Sequence, residues 1–440
     1  MQPFAISLAR NGYTAITFDF LGHGRNPSPM AGDVTTEDGA TRYLLEEVGQ
    51  VVAFARARTG QREIALLGHS MASDIIVRKA VADPDIRATV AVSMFSRVIT
   101  PDAPKNLLVI VGDWEPQVLK NEGLRVVAQV SGPAPAEGVT YGAFSDGTAR
   151  RTFFSPSVEH IGVLYQSDGI REAVRWLDHA FDRQSAEVAV VRGPWILLLL
   201  AGCVLLAWPA SRLLPQITDP NTAPRPVLGW RRLLIASVVP AVLTPLILWP
   251  LPTDFLPVLV GGYLVCHFGL YGLLTAVMLY WCDDRTDRPD PRLIPTVRFV
   301  GATLAVTAFG LLALGAPIET FVASFVPIPE RWFLLALMMT GTLAFFLSQA
   351  WLSGEGPGGT VRGIVLRTLF IASLALAIGL DLEGLFFLII LMPVILLFFG
   401  IYGLFAHWVT RRTGHPFVAA IANGIALAWA IAVTFPLLAG

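Results

Sequence analysis

Three side-chain types that together could cleave an acyl bond are spread along the chain: Ser70, a carboxylate at Asp113 or Glu115, and His160. Ser70 lies in Gly68-His69-Ser70-Met71-Ala72, after the apolar run Ile-Ala-Leu-Leu and before a helix-forming stretch. This is the G-x-S-x-G pattern of strand, sharp turn and helix, with Ala72 in the last small position. Such a turn raises the hydroxyl above a sheet. Gly68, lacking a Cβ, lets strand and helix approach. The N–H of Met71 then points toward the reacting carbonyl as an oxyanion donor. The competing role for Ser70 is that of a helix cap.

A serine hydroxyl is a weak nucleophile near neutral pH and needs a base. His160 follows the run Arg-Arg-Thr-Phe-Phe and precedes the last helix of this half of the chain. His69, next to the nucleophile, should turn its ring away from the hydroxyl, and His179 should lie on a solvated helix face. An acid must orient the imidazole. The apolar run Leu-Leu-Val-Ile-Val ends in Gly112-Asp113-Trp114-Glu115-Pro116. Glu115 is favoured because the loop has turned toward the site three residues past Gly112. Asp113 is the alternative acid, and otherwise ties down the loop. The chain order is then serine, acid, histidine. No cofactor or metal is expected.

Alternating elements must hold these groups. Helices are predicted over residues 2–10, 36–56, 71–82, 116–128 and 168–181, with Thr35 and Asp38 as a capping pair for the second. Strands are predicted over 13–18, 63–67, 89–93, 107–111 and 151–154. Short apolar strands alternating with helices imply a parallel sheet covered on both faces.

The 440-residue chain carries only 15% charged residues and a mean hydropathy of +0.60. A soluble domain has roughly 25% charged residues, so part of this chain belongs in lipid. The charge deficit begins after Arg192, which gives two domains, 1–185 and 193–440. A net charge of −1 does not suggest a nucleic-acid partner. The three cysteines lie in or beside apolar runs, so no disulfide framework is expected in the first half.

The second half contains about eight apolar runs long enough to span a bilayer: 195–214, 233–249, 256–281, 299–316, 332–351, 364–380, 385–408 and 417–438. Tryptophans mark many of their ends, as an interfacial belt would. Arginines concentrate in alternate loops. Arg212, Arg225, Arg231 and Arg232 fall in the first, Arg285, Arg288, Arg292 and Arg298 in the third, Arg362 and Arg367 beside the fifth, and Arg411 and Arg412 in the seventh. The segments around Asp254, Glu319 and 381–383 are nearly free of basic residues. The positive-inside rule puts the arginine-bearing loops in the cytoplasm and the first domain outside. The expectation is a multi-pass protein of a bacterial plasma membrane with an extracytoplasmic first domain. Within the spans His267 is the strongest candidate for transport chemistry, against a packing role as a hydrogen bonder.

The segments Asp19-Phe20-Leu21-Gly22-His23-Gly24-Arg25-Asn26, Gly68-His69-Ser70-Met71, Gly112-Asp113-Trp114-Glu115-Pro116 and Glu159-His160 resemble the α/β-hydrolase superfamily, nearest its lipase, esterase and serine-aminopeptidase-like branch. The resemblance covers about residues 1–182. It implies that Asp19, His23 and Gly24 are structural and shape the rim of the pocket. It also implies an ester or amide substrate. Many hydrolases insert a lid where this chain has only the short connection 94–106. Family members carry further strands before the first helix, and a His-Gly loop after one of them gives a second oxyanion donor. That loop, with one more membrane anchor, is expected to be encoded upstream of Met1. The function expected is a membrane-anchored serine hydrolase acting on a small-molecule or lipid acyl group, with the lipid bilayer as partner. The alternative is a transporter or scaffold carrying a vestigial, inactive hydrolase domain.

Overall fold

Residues 107–112 read as an unbroken apolar run because they form a central parallel strand buried on both faces. In the computed structural model, which describes residues 1–32, 39–218, 228–282, 296–353 and 359–439, four strands lie in the order β1-β2-β3-β4. They are β1 (Ile64–His69), β2 (Ile86–Val92), β3 (Leu107–Gly112) and β4 (Arg150–Ser155), all parallel. The described residues divide into two compact units. One is Met1–Leu21 with Met30–Leu197, and the other is Gly22–Pro29 with Leu198–Gly440.

In the first unit, strand alternation sends Val90, Val92, Leu108 and Ile110 to one face. There they meet Phe4 of α1 (Gln2–Arg10) and Ile170, Ala173 and Trp176 of α5 (Ser167–Ala180). Ala91, Val109 and Val111 face the other side, against Val77 of α3 (Met71–Ala82) and Val126 of α4 (Gln117–Ser131). α2 (Ala40–Thr59) packs on α3. This double cover fixes the strand ends that carry the candidate residues. Truncating a fully buried side chain such as Ile110 to alanine would cost roughly 2–5 kcal/mol.

One predicted strand is absent. Residues 13–18 run without a ladder, because the sheet ends at β1, which pairs with β2 alone among the described residues. A β-prone sequence without a neighbouring strand has nowhere to place its backbone hydrogen bonds in a sheet. The predicted helix start at residue 36 and its capping pair Thr35 and Asp38 lie outside the described residues, as do Arg225, Arg285, Arg288 and Arg292.

The second unit is helical. The chain has eight stretches long and apolar enough to cross a membrane among the described residues: Gly193–Ser211, Trp230–Leu248, Gly261–Trp281, Val297–Phe321, Pro329–Ser353, Thr360–Leu380, Leu382–Thr413 and Pro416–Thr434. Their helices are α6 (Gly193–Ser211), α7 (Trp230–Leu248), α8 (Gly261–Cys282), α9 (Val297–Phe309), α10 (Gly315–Phe321), α11 (Trp332–Ser353), α12 (Gly359–Leu380), α13 (Leu382–Thr413) and α14 (Pro416–Thr434). A π-helical turn, Gly310–Leu314, joins α9 to α10. α11 packs against both α8 and α14. Gly272 of α8 and Gly341 of α11 permit the close approach of these helices, since a Cβ there would lie 2.5 Å from the Ala344 carbonyl carbon and 2.4 Å from the Val265 carbonyl oxygen, respectively. The core around this crossing is aromatic, with Phe268, Tyr271, Phe345, Phe370 and Phe399. Trp195, Trp208, Trp249, Trp281 and Trp332 are exposed at or near helix ends.

The segment Gly22–Pro29 clusters with this second unit although it precedes β1 in sequence. Its Gly22 carbonyl accepts from the Leu437 N–H (2.9 Å) and from Arg331 Nη2 (2.8 Å). Arg331 is buried and also donates to the Ala432 and Phe435 carbonyls. Arg25 pairs with Glu319.

Candidate active site

Each candidate side chain follows a strand. Ser70 follows β1, Glu115 follows β3 and His160 follows β4. Parallel pairing puts the C-terminal ends of these strands on one edge of the sheet. Gly68 is level with Ala91, and Gly112 is level with Ser155.

Ser70 occupies the left-handed region, with φ 56° and ψ −125°. For a residue with a Cβ this conformation costs on the order of 1–3 kcal/mol. The surroundings impose it. The Ser70 N–H donates to the Val92 carbonyl (2.9 Å), while the Ser70 carbonyl accepts from the Ser73 N–H (2.9 Å) and hydroxyl (2.5 Å). A Cβ on Gly68 would lie 2.8 Å from the Ala72 carbonyl oxygen, so the elbow closes only with glycine there. The Ser70 side chain makes no capping hydrogen bond to α3. Its oxygen lies instead 3.0 Å from His160 Nε2. Met71 opens α3, so its N–H is a first-turn donor with no intrahelical acceptor.

The other ring nitrogen of His160, Nδ1, lies 2.5 Å from Glu115 Oε1. A proton on Nδ1 facing the carboxylate leaves the Nε2 lone pair for the Ser70 hydroxyl. The Glu115 side chain is fully buried. Its second oxygen accepts from the Gly112 N–H (2.6 Å) and from the Ser93 hydroxyl (2.8 Å). Burial pushes the Glu115 carboxyl up, but the hydrogen bonds from His160, Gly112 and Ser93 together outweigh it and hold it below the usual carboxylate range. Asp113 points elsewhere. Its carboxylate is half-exposed and lies 3.9 Å from Lys120 Nζ.

Two residues join the site that the sequence pattern does not place there. Ser93 follows β2 with φ 54° and braces Glu115. No motif marks it. The signal available is a polar residue directly after the apolar run Val90-Ala91-Val92. The other is His69. Its Nε2 lies 2.9 Å from the His160 carbonyl oxygen, and the two rings sit 4.6 Å apart. His69 thereby ties the elbow to the loop carrying His160. Burial first, and the neighbouring His160 second, lower its pKa to about 4. It is therefore neutral near pH 7 and donates through Nε2–H.

His23 and Gly24 fall in the segment that clusters with the helical unit, where Gly22 and Gly24 take left-handed turns. Asp19 is exposed just before that segment. Among the described residues no cluster of His, Cys, Asp and Glu is arranged to hold a metal.

Residues 2–117 match the family model of the α/β hydrolase fold. The match contains Ser70, Met71, Asp113 and Glu115 and ends before His160. No curated protein and no solved structure matches the chain. The match and the parallel sheet together make the N-terminal unit an α/β-hydrolase fold, followed by helices long and apolar enough to cross a membrane.

Proposed function

We propose that this chain is a membrane-anchored serine hydrolase that cleaves an ester or amide. The observation that carries this reading is the line of contacts from Ser70 Oγ to His160 Nε2 (3.0 Å) and from His160 Nδ1 to Glu115 Oε1 (2.5 Å). In the proposed reaction His160 takes the hydroxyl proton as Ser70 attacks the carbonyl, and later returns it to the leaving group. Glu115, ionised and buried, orients the ring and stabilises the imidazolium. The Met71 N–H faces the developing oxyanion. Water then releases the acyl group from Ser70, and an alcohol acceptor in its place would give acyl transfer with the same residues.

An apolar acyl substrate suits the rim. Met71, Trp114 and Ile161 are exposed apolar side chains, and each is the chain neighbour of a proposed catalytic residue. Exposed apolar side chains gathered around a polar centre mark a binding surface. The eight candidate spans support anchoring in a bilayer. The arginine distribution supports an extracytoplasmic hydrolase unit.

A fluorophosphonate probe applied to full-length protein tests the reading. Labelling of wild type that disappears in Ser70→Ala is the expected result. A folded full-length protein that takes up no label would sink it, and would leave the inert hydrolase unit on a transporter or scaffold.

A further inference from the structure

A cavity of about 300 Å³ opens between the C-terminal end of α6, the length of α9 and the C-terminal half of α13. That is the lower end of the roughly 300–1,000 Å³ usual for small-ligand sites. Its walls are apolar, with Ala207 and Ala210 from α6, Ala302 and Ala305 from α9, and Phe405 and Val409 from α13. The one hydroxyl in the lining, on Ser211, already donates to the Trp208 carbonyl. The other polar side-chain group in the lining is the indole N–H of Trp408.

The helix that forms one wall is unusual in this unit. Little of α6 is buried by protein: Ala207 and Ser211 are its buried residues, both near its C-terminal end, and Leu205 and Leu206 are exposed. A spanning helix that buries so little of itself in its own bundle must be packed largely by lipid chains. The cavity beside it is then acyl-chain space.

One end of the cavity is strongly cationic. Arg212 directly follows α6 within the lining segment. Its guanidinium stacks 4.7 Å over the Trp208 ring, and its carbonyl accepts from Arg412 Nε (3.1 Å). Arg298 stands one turn before Ala302 on α9, and Arg411 one turn past Trp408 on α13. All four arginine side chains are exposed. Residues 207–218, 296–309 and 405–416, which make up these three ends, contain no Asp or Glu. At the opposite ends of the helices the buried Arg331 is spent on backbone carbonyls and Arg25 is paired with Glu319. The arginine-rich ends are also those that the positive-inside rule assigns to the cytoplasmic leaflet, where anionic lipids concentrate.

We infer that this cavity binds one anionic phospholipid, with an acyl chain between α6, α9 and α13 and the phosphate among Arg212, Arg298, Arg411 and Arg412. The site is separate from Ser70 and rests on the membrane-spanning reading of the second unit. The lipid serves as packing for α6 rather than as substrate.

Native mass spectrometry of full-length protein, loaded in detergent with phosphatidylglycerol or phosphatidylcholine, tests this. One phosphatidylglycerol should be retained under conditions that strip phosphatidylcholine. Replacing both Arg212 and Arg412 with Gln should weaken that retention at least about tenfold, as expected when two phosphate contacts are lost. Ala305→Phe, at an exposed wall position, should fill the cavity and abolish retention. Fluorophosphonate labelling should persist in both variants, which separates failure of this site from failure of the hydrolase reading. Equal retention of the two lipids by wild type would overturn the inference. So would unchanged retention in the variants, or displacement of the lipid by inorganic phosphate alone, which would mean an anion site without a chain. Extraction of the intact protein without detergent would overturn the membrane reading itself.

Discussion

His160 and His267 lie in different units and are wired alike. Each has a partner at both ring nitrogens. His160 has Glu115 and Ser70, and His267 has the Tyr263 hydroxyl (3.0 Å) and the Ser373 hydroxyl (3.2 Å). The differences lie in what surrounds the wiring. His267 sits on a regular helix, fully buried against Phe370 and between Tyr263 and Tyr271. Both of its hydrogen-bonding partners are neutral hydroxyls, which would not balance an imidazolium. His160 has a buried carboxylate behind it and about a third of its side chain in the open. Its hydroxyl partner is held on a strained backbone that presents the oxygen outward. Two hydrogen bonds to a histidine thus describe a packing device as well as the proposed base. The charge behind the ring and the access in front of it separate the two.

The sharpest way to break this contrast is to remove the groups in front of and behind His160. Ser70→Ala or His160→Ala should lower kcat by roughly 10⁴–10⁶-fold, since members of such a unit act together. A loss below about tenfold in ester turnover would reduce this site to the status of His267. Next in size, Glu115→Gln should lower kcat by on the order of 10⁴, because it removes the charge and favours the wrong tautomer. Asp113→Asn, on the same loop, should leave turnover unchanged. A reversal of these two would transfer the acid role to Asp113.

In the other unit, His267→Phe should leave turnover intact but strand two buried hydroxyls. Each stranded group costs about 1–3 kcal/mol of stability, read as an earlier unfolding midpoint in detergent. Loss of turnover without loss of stability would mean that His267 does chemistry after all.

The smallest effect concerns His69. Its pKa falls from 6.5 to about 4 on folding, so the unfolded chain binds more protons between those values. Stability of the hydrolase unit should therefore be full above pH about 6.5 and decline as pH falls toward about 4. His69→Gln, which does not titrate, should flatten that decline in thermal unfolding across the window. An identical decline in the variant would assign the proton uptake elsewhere.

The positions of Ser70, Glu115 and His160 are legible in the sequence because each stands a few residues past a short strand-forming run, and Ser70 and Glu115 follow a glycine that ends an apolar one. Parallel strands put such positions on one edge whatever the intervening lengths. Glu115 can be favoured over Asp113 but not separated from it, since both lie on the same turn and only the fold sends one inward and the other to Lys120. Ser93 and the second role of His69 are not legible. Both act through partners far along the chain, and neither residue type is rare at such places. Residues 13–18 look like a strand because β propensity is a property of the segment, while a ladder is a property of its neighbour. The association of Gly22 with Arg331 is equally hidden, because a buried arginine donating to three carbonyls carries no signature of its own.

The π-helical turn at Gly310–Leu314 has a consequence for the length of the chain itself. Such a turn holds one residue more than its α-helical counterpart. Each residue of an α-helix advances the side chains by about 100°, so a deletion within a regular helix swings every later side chain off its face. A deletion at Leu312 would instead be absorbed as the wide turn tightens, and the flanking helices would keep their partners. This point in the bundle is where evolution could lengthen or shorten the polypeptide by one position without rebuilding the helices beyond it.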